Sequence, residues 1–237
     1  MQFQTPLVPA RLVRRYKRFL ADMVLEDGAE ITAHCPNPGA MTGLAAPGAR
    51  CWLERAAAGR KLPFGWRLVE LPGNHMACID TTIPNRIAAE ALAGATLPAL
   101  GPLHDIRPEA RLGPGTRIDF AARDAHGRTV LIEVKSVTLA RGGWAEFPDT
   151  VTARGTRHLH ELARAAREGA RAVMLYVASR SDATRLRIAG DIDPAYARAF
   201  ADARAAGVEA LGLACTITAH AIAPAGPLPV DPSPRAP

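Results

Sequence analysis

The 237-residue chain is poor in lysine: of its 29 basic residues only Lys17, Lys61 and Lys135 are lysines. A lysine kept against that bias toward arginine asks for a reason. Cysteine is scarce too, with four widely spaced residues (Cys35, Cys51, Cys78, Cys215) and no C-x-x-C pair, which excludes a zinc ribbon or knuckle. The first residues contain no apolar signal segment, and no apolar run reaches the length of a membrane span. The expectation is a cytoplasmic chain with reduced thiols and no membrane association. Neither a P-loop nor a G-x-G-x-x-G motif occurs, so NTPases and dinucleotide enzymes are poor candidates.

The charge balance is the composition's positive statement. Formal net charge is +6, which suggests an anionic partner. The excess is local: Arg11, Arg14, Arg15, Lys17 and Arg18 supply five of those six charges, with Tyr16 and Phe19 beside them. Cations interleaved with aromatics can hold phosphates and stack bases. The alternative is an edge strand guarded by charge.

Length and patterning suggest two domains. Up to residue 83, five short strands (Phe19–Leu25, Ala29–Cys35, Cys51–Leu53, Lys61–Leu71 and His75–Asp80) alternate with turn residues, the pattern of a small closed β-barrel such as an OB-fold. Residues 84–223 switch to helix, strands, helix, strand, helix, strand, which reads as an α/β domain with a mixed sheet. Asn85 is expected to cap a helix over Arg86–Ala93, Thr152 one running to Glu168, and Asp193 one starting at Pro194. Val208–Ala223 reads as strand. Six prolines in residues 224–237 predict a disordered or extended tail.

Asp119 and Glu133-Val134-Lys135 are the candidate catalytic group. A hairpin closing over residues 124–128 pairs positions that sum to 252, which sets Asp119 opposite Glu133. Two carboxylates that close repel each other unless something positive lies between them. A hard cation such as Mg²⁺ (or Mn²⁺) fits, held by both carboxylates, the Val134 carbonyl and water. Lys135 can then orient a metal-bound water or stabilise charge on a phosphate, a task suited to its compact ammonium. The alternative is a cross-strand surface trio in which Lys135 lies opposite Arg117 and Glu133 merely neutralises the two cations. Arg154 and His158, four apart on the second helix, are candidate phosphate contacts; His160 reads as exposed. His34 and Cys35 point to opposite faces of a strand and make no dyad. Pro36-Asn37-Pro38-Gly39 is a recognition loop or a structural corner, and Asp149 reads as a turn hydrogen-bonder.

These features bring the sequence close to a known family. Arg14–Phe19, His34–Met41, Arg60–Pro63, Pro84–Arg86, Arg117–Phe120, Glu133–Leu139 and Phe147–Gly155 resemble, in order, the blocks of the sugar fermentation stimulation protein A (SfsA) family. The resemblance implies an N-terminal OB-fold and a C-terminal domain like the PD-(D/E)xK nucleases. It also implies DNA binding with little sequence preference and regulation of maltose or other sugar use. Its nuclease motif falls on Asp119, Glu133 and Lys135, and it makes Glu90 on the first helix a further metal candidate. Lys61, in the Arg-Lys-Leu-Pro block, joins the candidate DNA contacts. Leu186–Asp191 departs from the family pattern and leaves the conformation of that loop open.

Overall fold

The buried and exposed positions along Val8–Tyr16 alternate around Ala10 and Leu12, which face a core, so the basic segment is itself a strand, β1. The computed structural model describes residues 1–113 and 116–235, apart from the side chains of 112–116. In it β1 pairs antiparallel with both β2 (Leu20–Leu25) and β4 (Arg50–Arg55). It is therefore interior to its sheet, and the guarded-edge alternative does not hold. β3 (Glu30–His34) pairs with β2 and, through His34↔Gly65, with β5 (Phe64–Leu71). Since β5 also pairs with β4, five strands close into a barrel as expected, with β1 in the place that the turn pattern gave to His75–Asp80. Trp66, Met23, Leu12, Leu53 and Met41 fill it. β6 (His75–Cys78) extends the sheet and leads out of the barrel.

The second unit is a six-stranded mixed sheet, order β15-β14-β12-β9-β8-β7. Its strands are β7 (Leu103–Gly113), β8 (Thr116–Asp124), β9 (Thr129–Val137), β12 (Arg171–Ala178), β14 (Glu209–Ile217) and β15 (Ile222–Leu228). β9, β12 and β14 run parallel and form the buried centre, which explains their near-continuous apolar runs. Helix α1 (Ile83–Ala93) covers one face; α2 (Ala153–Arg167) and α3 (Pro194–Ala205) cover the other. The caps on the latter two are as expected: Thr152 accepts from Gly155 N, and Asp193 from Tyr196 N. The first helix differs. Its cap position is Thr82, Pro84 occupies the first turn, and Asn85 lies inside the helix with its side chain free for other work. β10 (Leu139–Arg141), β11 (Trp144–Phe147) and β13 (Leu186–Ile188) make a small third sheet, so the stretch that departs from the family pattern is a strand parallel to β11. Among the described residues no helix is long and apolar enough to cross a membrane.

Two expectations about the ends of the chain are corrected. The proline-rich tail is not disordered over its described residues; its last two residues lie outside them. β15 runs to Leu228 against β14, and beyond it Leu186 N donates to Pro229 O and Arg235 N to Ile188 O. Proline is tolerated because β15 is an edge strand, where a missing N–H breaks no ladder. At the other end, residues 1–7 do not belong to the barrel alone. The Met1 ammonium donates to Ile222 O at 2.6 Å, and Leu7 packs in the core beneath α1. The two units are also joined at β6, where Cys78 N donates to Ser179 O and Ser181 N to Met76 O.

Candidate active site

The β8–β9 register places Phe120 opposite Ile132 and Arg123 opposite Thr129, as the hairpin count required. One step beyond Phe120 the ladder ends. There the Asp119 side chain takes over from the backbone: Val134 N–H donates to its Oδ2 at 2.8 Å. Its other oxygen, Oδ1, accepts from the Asn85 side-chain amide of α1, also at 2.8 Å. Both oxygens are thus fixed by donors from two different elements. Burial, and next the nearby Glu133 charge, push the Asp119 carboxyl above the usual aspartate value.

Glu133 is 3% exposed on the α2 side of the sheet. Lys135 Nζ lies 2.7 Å from its Oε1, and His158 Nδ1 from α2 hydrogen-bonds the same oxygen. Arg154 Nε donates to His158 Nε2 at 3.4 Å. A guanidinium cannot accept, so Nε2 must; the imidazole proton then sits on Nδ1 and is given to Glu133. Burial pushes the Glu133 carboxyl up, but the His158 hydrogen bond and the Lys135 charge outweigh it and hold it below the usual glutamate value. The surface-trio alternative fails on these grounds. Lys135 is 13% exposed and pairs with Glu133, while Arg117 points outward and lies 3.8 Å from Glu109.

The structure therefore gathers Asp119, Glu133, Val134 and Lys135 at one sheet end, and it redirects two other candidates. Glu90 does not join them: its carboxylate takes the Met1 ammonium at 2.7 Å, because the N-terminal residues fold back over α1. Asn85, read from the sequence only as a cap, is the helix residue that reaches Asp119. Its signal in the sequence was the Pro-Asn pair, which starts the helix early enough to place Asn85 in its first turn, facing Asp119. His158 is buried against Glu133 rather than turned to solvent, while Arg154 above it is exposed and His160 is exposed as expected.

Two ionisable carboxylates and a carbonyl form a hard oxygen set that suits Mg²⁺, which commonly uses one or two carboxylates and keeps several waters. Burial is the main cause of the raised Asp119 carboxyl; the Glu133 charge adds to it, and that smaller part is what a dication would relieve. Among the described residues no group of three His, Cys, Asp or Glu side chains is placed to hold a metal.

The basic segment divides by task. Arg15 donates through Nη2 to the carbonyls of Asn37 and Gly39, and Arg18 donates to Pro38 O, so both brace the Pro36–Gly39 corner. That corner is tight: a Cβ on Gly39 would meet Asp149 Oδ2 at 2.6 Å. Arg14 and Tyr16 both bond Asp22. Arg11 donates to Gly48 O from an exposed position. Lys17 is exposed, as is Lys61, which lines a cleft with His34, Arg55 and Arg60.

Comparison with known proteins agrees with this architecture. Residues 13–79 match the SfsA N-terminal OB domain, and residues 82–221 the sugar fermentation stimulation protein RE domain. A sugar fermentation stimulation protein homolog from Jannaschia sp. strain CCS1 is 57% identical over 239 residues, spanning 100% of this chain and 99% of the relative. One from Azorhizobium caulinodans is 51% identical, spanning 97% of this chain and 99% of the relative. Among solved structures, Pyrococcus furiosus SfsA in complex with Ca²⁺ aligns with a TM-score of 0.85 at 28% identity, covering 98% of each chain.

Proposed function

Because the chain belongs to the sugar fermentation stimulation protein (SfsA) family, we propose that it is a DNA-binding protein whose nuclease-like domain holds a divalent cation on Asp119, Glu133 and the Val134 carbonyl. The observation that carries this reading is the buried Glu133 and half-buried Asp119 with an ammonium beside them: Asp119 raised by partial burial and by Glu133, and Lys135 at 2.7 Å from Glu133. Three charges drawn largely out of water at a strand end carry a desolvation cost, which a functional role would explain. The Ca²⁺ complex of the archaeal relative supports a hard dication as its partner. Arg11, Arg14 and Lys17 present positive charge to the DNA backbone, which carries no sequence information and so gives little sequence preference. Four free, buried cysteines suit a reducing cytoplasm. A role in regulating sugar use, which the family name suggests, would have to act through DNA binding of little sequence preference.

A second reading, metal-dependent hydrolysis of phosphodiester bonds, is favoured by Lys135. A binding scaffold has no need of a nearly buried ammonium at the carboxylates, whereas hydrolysis uses one to orient water or to stabilise charge developing on the phosphate. Mg²⁺ would supply Lewis acidity and a bound water at this point. Asp119 and Glu133 would position it, and Lys135 would hold the attacking oxygen or the phosphate.

Plasmid and single-stranded DNA incubated with and without Mg²⁺ or Mn²⁺ tests both readings. Cleavage by the wild type, lost in Asp119→Ala, Glu133→Ala and Lys135→Ala, establishes the hydrolase. Retention of DNA without cleavage leaves the binding protein, and failure to retain either DNA removes both.

A further inference from the structure

Phe19 is 46% exposed, which is unusual for a phenylalanine, and it does not stand alone. Its ring lies over that of His34, centroids 6.4 Å apart and planes 14° from parallel, so two flat faces form one exposed shelf at the barrel's end. The turn that presents it is the tight hairpin between β1 and β2. Lys17 and Arg18 both sit in the left-handed region, at φ 47° and 62°, the geometry such a turn uses although side-chain-bearing residues disfavour it. Hydrogen bonds hold it there: Phe19 N donates to Lys17 O at 2.7 Å, and the Arg18 side chain to Pro38 O.

His34 also lines a cleft of about 520 Å³ with Arg55, Arg60 and Lys61. These three cations are exposed, and none has an ion pair among the described residues. The cleft's one acid, Glu54, is taken by Arg67 at 2.9 Å. A stacking shelf therefore opens directly into an uncompensated cationic groove. Just past His34, Pro36 O accepts from both Thr81 N and Thr81 Oγ1, at the start of the helix whose Asn85 holds Asp119.

We infer that Phe19 and His34 form a base-stacking platform, and that Arg55, Arg60 and Lys61 hold the adjoining backbone, of single-stranded DNA. The inference rests on the DNA-binding reading and narrows its ligand. A paired base has both faces covered by its neighbours, so only an unpaired base can lie on the shelf. The cationic groove answers the phosphates with no base-edge readout, so the site takes single strands of any sequence. It also divides the labour between domains: the barrel grips an unpaired strand, and the chain that leaves the grip leads to the α1 residue holding Asp119.

Fluorescence anisotropy of the full chain, without divalent metal, on labelled oligothymidylate of about 15 nucleotides and on a duplex of equal length tests this. Phe19→Leu is expected to weaken oligothymidylate binding roughly tenfold, with duplex binding unchanged, and Phe19→Trp to retain it. Arg60→Ala with Lys61→Ala should flatten the salt dependence on the single strand. The Phe19→Trp variant also gives a readout independent of truncation, since the added indole emission should be quenched by oligothymidylate but not by duplex. Equal single-strand affinity of wild type and Phe19→Leu, or no quenching, overturns the platform. Wild-type binding to duplex alone overturns it too but leaves the DNA-binding reading standing. Binding to neither DNA overturns both.

Discussion

The Asn85 side-chain amide donates to Oδ1 of Asp119 at 2.8 Å, so the helix on one face of the sheet fixes a carboxylate at the strand end. With Val134 N on Oδ2, the carboxylate plane has no freedom left. Outer partners of this kind commonly set ligand orientation and are worth a factor of about 10–100 in metal affinity. Asn85→Ala is therefore expected to weaken Mn²⁺ binding by about that factor. Titration followed by Mn²⁺ electron paramagnetic resonance measures it. Unchanged affinity would show that Asp119 needs no such brace, or holds no metal.

His158 is the matching support for Glu133. Removing it leaves a buried carboxylate with Lys135 as its one remaining hydrogen-bond partner among the described residues. His158→Ala should cost about 1–3 kcal/mol of stability, the usual penalty for stripping a partner from a buried polar group. Chemical denaturation reads this out. His158→Gln, which can still donate to Glu133, should recover part of the loss.

The cations of the basic segment should separate in two different measurements. Lys17→Ala should lower the slope of log affinity against log salt by about 0.9, one phosphate contact, with no change in melting temperature. Arg15→Ala should lower the melting temperature instead, because the Asn37 and Gly39 carbonyls lose their donor. A common effect of both on the salt slope would refute the division.

How far the sequence could carry these conclusions differs by residue. Asp119, Glu133 and Lys135 were legible because strand periodicity and a counted hairpin are local rules, and the register obeys them. The barrel was legible from its turns, although β1 was hidden by its charge: the inward positions Ala10 and Leu12 are few, and the arginines between them dominate the eye. Glu90 misled because the family resemblance that made it a candidate does not reveal that Met1 folds back from 89 residues away to claim the carboxylate. The tail misled because proline count reports an inability to donate, and an edge strand does not ask for donation on both sides.

Arg180 lies between the two units: it bridges Ala77, donates to Thr138 O at 2.7 Å and is gripped by Asp182. The Arg180 hydrogen bonds hold the Asp182 carboxyl below the usual aspartate value despite the opposing effect of burial. A carboxyl depressed on folding stabilises the fold above its unfolded value, and that contribution is lost as pH falls through the folded one. The melting temperature of Asp182→Asn should thus lie below wild type at neutral pH, and the gap should close on acidification below about pH 4. A gap independent of pH would mean that the ion pair contributes nothing.

Leu228 is 4% exposed, and its backbone carbonyl lies 2.4 Å from where a Cβ on Gly212 would sit, so β15 is packed as closely as an interior strand. Beyond it Arg235 reaches buried Glu146 at 3.3 Å, alongside Arg141 and Arg187. If the tail were merely draped over the surface, substituting Leu228 would cost little. Packed as it is into the core under α2 and α3, Leu228→Ala should remove about 2–5 kcal/mol, the range for emptying a buried leucine site. Arg235→Ala should cost much less, since Glu146 keeps two other guanidinium partners. Urea unfolding of the two variants side by side decides it: equal and small losses would return the proline-rich segment to the role of a dispensable tail.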